Sequence, residues 1–325
     1  MRKTIELDLY YEMLYLRMVE DFISENYVQE NGNQEMRCPV HLSTGQEAVS
    51  VGFMSNLQNL DKIFLTHRCH GQYLAKKGSL NAMFAEIYGK EDGCIGGRGG
   101  SMHLQDIGKG IFISIPIVGS VIPLSVGSAL SSKLQKRKIN NVVFFGDGAL
   151  EEGVWHESAE FAKLYNLNII FVCENNLYSV YTPLKQRQIR NQLSRFADTH
   201  SIKVFECDGN NIEDVVSTSK QAINYSNQKM QPSFFLAHTY RHREHCGPNF
   251  DDNLNYRPKN EIKRWFDRDP IKLWESKLID RKILNEETKK EYKTKIQKKI
   301  LSSHRFALRS KLPNQKEAPK YVYSK

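Results

Sequence analysis

Two short polar segments, each following an apolar run, carry the clearest chemical signal in the chain. Gly146-Asp147-Gly148 follows the run 141–145, and Asn175-Asn176 follows the run 168–173. Mg²⁺ takes octahedral oxygen coordination and is commonly held by one or two protein carboxylates or amides together with substrate phosphates. The Asp147 carboxylate and the Asn176 amide oxygen therefore predict a magnesium and phosphate site. Either segment alone would usually be a plain turn or loop, so the prediction depends on the pair.

The elements around these segments predict that they lie side by side. Both apolar runs are rich in β-formers and indicate buried parallel strands, and 150–165 between them has helical apolar spacing. Such a βαβ unit places the carboxyl ends of its strands at one sheet edge. A helix starting near Leu150 would also offer free N–H groups to an anion. A further strand over 233–237, after a helix over 213–222, predicts a doubly wound, mostly parallel α/β sheet.

The remaining segments predict a larger domain and a basic extension. The chain up to about Gln58 favours helix, and the glycine-dense stretch Gly89–Gly100 favours loop. Residues 271–325 hold 16 Lys and Arg against 6 Asp and Glu, so the net charge of +9 is concentrated there. We therefore predict a cofactor-binding α/β domain over 1–270 and a C-terminal helical extension over 271–325, packed on that domain. A solvated helical face explains the extension better than docking onto an acidic partner.

Composition argues against several classes of protein. We find no apolar stretch of the length that a membrane span needs, and acidic residues interrupt the N-terminal apolar positions. Six scattered cysteines without a CxxC pair suit a reducing compartment. No basic–aromatic interleaving points to nucleic acid. We expect a cytoplasmic protein that binds neither membranes nor nucleic acids.

Seven separate stretches, in order, resemble one enzyme family. The stretches are 41–52 (HLSTGQEAVSVG), 66–78, 96–103 (GGRGGSMH), 116–130, 146–158 (GDGALEEGVWHES), 171–183 and 256–265. In these stretches the chain is similar to the α subunit of the first component of pyruvate, branched-chain 2-oxo-acid and acetoin dehydrogenases, which bind thiamine diphosphate. It implies the thiamine-diphosphate-binding fold.

The resemblance also implies roles for individual residues. Asp147, Asn176 and the backbone carbonyl of Tyr178 match the Mg²⁺ ligands. The remaining cofactor-binding positions are Arg68 for phosphate with His67 beside it, the backbone of Gly148 and Ala149 for the diphosphate, and Pro116 and Val118 for the aminopyrimidine ring. His41, His70 and His245 match histidines that line the substrate and diphosphate end of the site. His70 and His245 are the implied proton-transfer residues.

Some of these positions depart from the family pattern. His67 stands where a tyrosine is usual, and Pro116 replaces a glycine, so only its carbonyl could serve. In 240–250 (YRHREHCGPNF), Glu244 and Cys246 replace the glycine and serine of a regulatory loop, which excludes phosphorylation at Cys246.

The implied activity is oxidative decarboxylation of a pyruvate-like 2-oxo acid. A β subunit would supply the activating glutamate in an α₂β₂ enzyme, because 325 residues is short for both a diphosphate and a pyrimidine domain. A lipoyl acyltransferase component would receive the acyl group.

Other functions stay open at this point. The chain could be the N-terminal half of a split transketolase, or a specialised thiamine-dependent decarboxylase or carboligase. It could also be a non-catalytic cofactor-binding or docking subunit. Two His/Cys groups, His67 with Cys69 and His70, and His242 with His245 and Cys246, could hold zinc, although their spacings are not standard and arginines adjoin them.

Overall fold

The computed structural model describes residues 3–28, 34–36 and 38–321. Within them the helices are α1 (Lys3–Asn26), α2 (Glu47–Met54), α3 (His70–Ala75), α4 (Leu80–Ile87), α5 (Val121–Leu134), α6 (Gly153–Leu164), α7 (Leu184–Arg187), α8 (Arg195–Asp198), α9 (Ile212–Lys229), α10 (Lys259–Phe266), α11 (Pro270–Asp280) and α12 (Glu286–Arg309). The strands are β1 (Lys62–Leu65), β2 (Ile111–Ser114), β3 (Asn141–Gly146), β4 (Ile169–Asn175), β5 (Tyr178–Ser179), β6 (Thr182–Pro183), β7 (Lys203–Asp208) and β8 (Ser233–His238).

Six of these strands form one parallel sheet in the order β2-β1-β3-β4-β8-β7. The predicted strands over 141–145, 168–173 and 233–237 are confirmed as β3, β4 and β8, which lie in the middle of the sheet. Strands β1, β2 and β7, which are four to six residues long, were not predicted. Helices cover both faces, so the predicted doubly wound α/β fold is confirmed.

Alternate residues of the central strands serve two separate cores. In β3, Val142 and Phe144 pack into one core, and Val143 and Phe145 pack into the other. The first core is closed mainly by α1, α2, α4, α9 and the C-terminal helices, and the second by α5 and α6. Because side chains alternate along a strand, a strand covered on both faces is apolar at every position, and this is why β3 and β4 were recognisable as continuous apolar runs.

The basic C-terminal helices contribute to the first core. Trp274 and Leu278 of α11 and Ile296 and Ile300 of α12 are fully or almost fully buried, while the lysines of α12 face outward. The boundary at residue 270 stays a prediction. No described helix combines the length and the apolar character that crossing a membrane requires.

Two local predictions need correction. The helical prediction up to Gln58 holds only for α1 and α2, because residues 38–46 between them form no helix. The helix expected near Leu150 begins later, at Gly153. A 3₁₀ turn over Asp147–Glu151 comes first, and Glu152, which is extended with ψ 136°, separates it from α6. The backbone N–H groups nearest β3 therefore belong to a tight turn and not to an α-helix.

The glycine-dense stretch is a loop, as predicted, apart from one 3₁₀ turn over Gly100–Met102. The buried Glu86 carboxylate of α4 accepts backbone N–H groups from four residues of the loop at 2.8–3.1 Å: Ile95, Gly97, Gly99 and Gly100. One buried carboxylate thus accepts the hydrogen bonds of loop N–H groups that have no partner strand to donate to.

Candidate active site

A cleft lies at the carboxyl edge of the sheet, where the strand order reverses between β1 and β3. Ligands of open α/β sheets bind at such a switch point. The cleft encloses about 870 Å³ that no protein atom occupies, counted out to its open mouth. Most of its lining residues follow three strands directly: 66–68 after β1, 146–149 after β3, and 174–180 at the end of β4 and beyond.

The structure brings most of the predicted site residues together here. The lining includes His41, His67, Arg68, Pro116, Val118, Asp147, Gly148, Ala149, Asn176, Tyr178 and His245. They come from segments that are as far apart in sequence as His41 and His245. The crossover connections between the parallel strands bring these segments to the same edge of the sheet. Their individual roles stay predictions.

Asp147 lies at the end of β3 with a side chain that is almost completely buried. Only 1% of the residue is exposed, and burial raises the pKa of its carboxyl group, with Arg187 acting against that rise. The guanidinium of Arg187 contacts Asp147 Oδ2 and, through its other terminal nitrogen, Glu151 Oε1. Asp147 can therefore offer a charged oxygen to a cation, and one cation from the chain already contacts it.

Asn176 follows β4, the strand next to β3, so its amide lies at the neighbouring strand end. Its Nδ2 donates to Gln46 Oε1 at 3.3 Å, which leaves Oδ1 as the acceptor, and Oδ1 receives the backbone N–H of Tyr178 at 3.2 Å. Leu177 between them has a φ of +73°, a left-handed conformation that a leucine rarely adopts. Such strain concentrates at functional sites.

The hydroxyl and ring of Tyr178 are engaged by other residues. The hydroxyl donates to Glu261 Oε1 at 2.6 Å, and the ring packs edge-on against Tyr240 and Tyr256. Beside it, a Cβ added at Gly148 would lie 3.0 Å from the Ser179 hydroxyl oxygen. The close approach leaves little room for any side chain at position 148, as expected where a phosphate must approach the backbone.

The other end of the cleft is formed by three imidazoles. The ring centroids of His41 and His67 are 4.6 Å apart, and His245 lies 5.2 and 5.4 Å from them. Burial, together with the charge of Arg68, lowers the pKa of His41 to about 2 and those of His67 and His245 to about 3. At neutral pH these rings are therefore uncharged.

Arg68 is a buried cation in that cluster. Its Nη1 donates to the backbone carbonyl of Leu42 at 2.6 Å and its Nη2 to that of His245 at 3.2 Å. Burial lowers the pKa of this guanidinium to about 10, and the charge of Arg241 contributes. Over the described ranges no carboxylate oxygen lies within 4.0 Å of it. Glu20 and Glu174 act on this charge only from a longer distance. A buried charge without a contacting counter-charge is costly, so this end of the cleft fits an anion such as a diphosphate.

His70, the second predicted proton-transfer residue, lies behind the wall of the cleft. It is fully buried, its Nε2 is 2.7 Å from the Ser101 hydroxyl, and its Nδ1 is 3.6 Å from a carboxylate oxygen of Glu20. It is not among the residues that line the cleft. Of the two predicted histidines, the structure thus brings only His245 to the place where a substrate could bind.

The histidines that could hold a metal ion differ from the two groups considered from sequence. The ligand atoms of His41, His67 and His245 lie within 4.8 Å of one another, one from each of three segments. Cys69 donates instead to the Ser101 carbonyl, and Cys246 is exposed. Arg68, which lies 3.4 Å from His245 Nδ1, would repel a zinc ion at this cluster.

The segment 240–250 is held beside the cleft by buried charges. Arg241, only 1% exposed, donates to the Val180 carbonyl at 2.7 Å and pairs with Asp251, which also binds Arg257. A bridge between His41 and Gly247 joins the segment to the start of the chain. This anchoring explains how His245, distant in sequence, meets His41.

Three residues of the site were missed from the sequence. Glu174 lines the cleft, and burial raises the pKa of its carboxyl group to about 7 while Gln72 donates to both of its oxygens at 3.0 Å. Its position directly before Asn175 and Asn176 was the available signal. Gln46 lies within a stretch already noted for its resemblance. Arg187 had no signal, because the contact with Asp147 exists only after folding.

The model of one protein family, the dehydrogenase E1 component, matches residues 11–316 of the chain. The α subunit of acetoin:2,6-dichlorophenolindophenol oxidoreductase from Bacillus subtilis is 35% identical over 272 residues, which is 83% of this chain and 80% of that protein. The α subunits of the pyruvate dehydrogenase E1 component from Rickettsia felis and Porphyra purpurea are each 30% identical, over 96% and 98% of this chain and 94% and 92% of theirs. The chain therefore belongs to the dehydrogenase E1 component family, as an α subunit of a thiamine-diphosphate-dependent 2-oxo-acid dehydrogenase.

Proposed function

We propose that this chain, with Mg²⁺ and thiamine diphosphate, carries out the oxidative decarboxylation of a pyruvate-like 2-oxo acid as the α half of an α₂β₂ enzyme. One observation carries the proposal. The cleft at the switch point has two hard oxygen ligands, from Asp147 and Asn176, at neighbouring strand ends, and a buried Arg68 that lacks a carboxylate partner among the described residues. A Mg²⁺ ion would complement the oxygen ligands at one end of the cleft, and the diphosphate bound to that ion would complement Arg68 at the other end.

The residues would divide the work of binding. Asp147, Asn176 and the Tyr178 carbonyl would hold Mg²⁺, and Arg68 with the backbone of Gly148 and Ala149 would hold the diphosphate. Pro116 and Val118 would contact the aminopyrimidine ring. When bound, thiamine diphosphate supplies the electron sink that a 2-oxo acid needs to lose CO₂.

His245 is the candidate for moving a proton at the reacting oxygen. It lines the cleft, and its imidazole is uncharged near neutral pH because burial lowers its pKa to about 3. It can therefore accept a proton, and negative charge developing beside it would raise its pKa toward the working range. His70 would act only through the residues between it and the cleft.

In this proposal a β subunit supplies the glutamate that activates the cofactor. The mouth of the cleft has exposed apolar side chains that such a subunit could cover. Val118 and Val180 line the cleft and are exposed, and the neighbouring apolar side chains Ile117 and Tyr181 are exposed as well. The matched relatives are named as α subunits. We propose further that the acyl group passes to a lipoyl acyltransferase component, and that the enzyme is cytoplasmic.

Calorimetry with the full chain tests the proposal. We expect thiamine diphosphate to bind more tightly in the presence of Mg²⁺ than in EDTA, and Asp147→Ala to abolish this Mg²⁺-dependent binding. Asp198→Ala is the control because Asp198 is exposed on α8, away from the cleft. A wild-type chain that binds no cofactor would favour the non-catalytic docking subunit.

Turnover then distinguishes the enzyme classes. With the β subunit present, we expect decarboxylation of pyruvate or a related 2-oxo acid coupled to an artificial oxidant. Cleavage of a ketose phosphate would instead favour the split transketolase. Carbon–carbon bond formation without oxidation would favour the carboligase. Normal turnover by the isolated chain would contradict the need for a β subunit.

A further inference from the structure

One cation of the chain contacts the oxygen that the proposed metal needs. Arg187 is the last residue of the short helix α7, and its side chain is 10% exposed. Its Nη2 donates to Asp147 Oδ2, its Nη1 to Glu151 Oε1, and its Nε to the Thr182 carbonyl at 3.2 Å. The guanidinium is therefore fixed through all three nitrogens against a carboxylate that is 1% exposed.

A guanidinium and Mg²⁺ cannot share this carboxylate easily. Both are attracted by the same charge, and they repel each other across a buried site where screening by solvent is weak. A Mg²⁺ ion requires oxygen ligands at about 2.1 Å in near-octahedral geometry, which excludes an N–H donor from the position it occupies. Arg187 contacts Oδ2, so a metal ion that takes this oxygen must displace the guanidinium from it.

We propose that Arg187 is a tethered counter-cation for Asp147, which neutralises the buried carboxylate in the metal-free chain and is displaced by the metal. This inference rests on the proposed function, because it needs the metal to bind at Asp147. It makes Arg187 a residue that sets the metal affinity of the site, although it is neither a metal ligand nor a catalytic residue.

Arg187 can keep a hydrogen-bond partner after a metal ion displaces it from Asp147. Glu151 is 27% exposed in its side chain and also accepts a hydrogen bond from Gln188 at 2.7 Å, so it can keep the guanidinium without Asp147. The Nη1 atom lies 3.8 Å from the Cβ position at Gly148. Displacement thus requires a side-chain rotation along the rim of the cleft and no unfolding of the sheet.

Mn²⁺ is the probe for the test, because its electron paramagnetic resonance signal reports free and bound metal directly. The full chain is freed of metal with EDTA, and Mn²⁺ is titrated with saturating thiamine diphosphate. We expect Arg187→Gln to bind Mn²⁺ about tenfold more tightly than the wild type, since it no longer loses a charge-assisted hydrogen bond on metal binding. Arg190→Gln removes the same charge from an exposed position three residues away and should leave the affinity unchanged.

Thermal unfolding gives a second readout that needs no activity. In EDTA, Arg187→Gln should unfold several degrees below the wild type, because Asp147 is left buried without a counter-charge. Saturating Mn²⁺ with the cofactor should remove most of that difference. If Arg187→Gln does not fold, Arg187→Lys keeps the charge but has one donor group instead of a fork, and it should show a smaller gain in Mn²⁺ affinity.

The outcomes separate this inference from the function on which it rests. The counter-cation role is overturned if Arg187→Gln binds Mn²⁺ no more tightly than the wild type does. If only Arg187→Lys folds, the same criterion applies to that variant. Either result leaves the proposed function intact. A wild-type chain that binds no Mn²⁺ with thiamine diphosphate overturns both.

Discussion

The two ends of the cleft differ in how the charge of a buried side chain is compensated. At the carboxylate end, Asp147 is buried and its charge is matched by Arg187 of the same chain. At the histidine end, Arg68 is also buried, but it contacts two backbone carbonyls and the ring of His245, and its neighbours are three uncharged imidazoles. One end carries a counter-charge in direct contact, whereas at the other end the carboxylates of Glu20 and Glu174 act on Arg68 only from beyond 4.0 Å.

This difference indicates what each end gains from a ligand. A metal ion at the carboxylate end replaces an existing interaction, so only the difference between the two interactions contributes to binding. An anion at the histidine end meets a charge that has already been desolvated, so nearly the whole interaction contributes. We therefore expect most of the cofactor affinity to come from the diphosphate at Arg68, with the metal mainly fixing its geometry.

The largest expected effect comes from removing Arg68. Arg68→Met should weaken thiamine diphosphate binding about 100-fold, or about 2.7 kcal/mol, because a charge-assisted hydrogen bond in a buried site is lost. The cofactor-free chain should keep its unfolding midpoint or gain stability, since the uncompensated charge is gone. Calorimetry and urea unfolding check the two parts, with Arg264→Met on the exposed face of α10 as the control.

Loss of stability in cofactor-free Arg68→Met comparable with that in Arg187→Gln would break the comparison. That result would mean that other residues of the chain also compensate the charge of Arg68.

A smaller effect is expected at Asn176. Asn176→Ala should weaken cofactor binding about tenfold, since one neutral amide ligand of several is lost and water can replace it. The change should disappear when binding is measured without Mg²⁺, because the amide acts through the metal. Titration calorimetry at several Mg²⁺ concentrations measures this, and Asn191→Ala, exposed in the nearby segment after α7, is the control. A metal-independent loss would argue against Asn176 as a ligand.

The last expected effect concerns the pH dependence of stability and not the affinity for the cofactor. The pKa of His67 is about 3 in the folded chain and 6.5 as its ordinary value, so between these limits the unfolded chain binds a proton that the folded chain does not. The free energy of unfolding of the cofactor-free chain therefore falls as the pH drops below 6.5. His67→Gln should reduce that slope by one proton, about 1.4 kcal/mol per pH unit.

Urea unfolding between pH 7.5 and 5 measures the slope, and His238→Gln removes a histidine outside the cleft as the control. Glu174, whose pKa is raised to about 7 by burial, changes the stability in the opposite sense between pH 4.5 and 7. The comparison of wild type with variant cancels that contribution. An unchanged slope in His67→Gln would show that the imidazole is not held uncharged in the folded chain.

The central part of the fold could be predicted because local patterns there agree with burial. Continuous apolar runs marked β3, β4 and β8, since strands covered on both faces need apolar residues at every position. The peripheral strand β7 has an exposed Lys203 and Glu206 and shows no such run. The 3₁₀ turn over Asp147–Glu151 was missed because the apolar spacing of 150–165 continues across it.

The sequence by itself determined the sheet class and, by resemblance, the candidate ligands, because polar residues placed directly after apolar strands must lie at one edge of a parallel sheet. Only the tertiary structure decided that His70 is behind the cleft wall and that His41, His67 and His245 meet. It also decided that Arg187 lies on Asp147 and that Arg68 has no carboxylate beside it among the described residues. The physical reason is that strand ends are fixed by local chain geometry, whereas pairing of buried charges depends on which distant segments the packing of the two cores brings together.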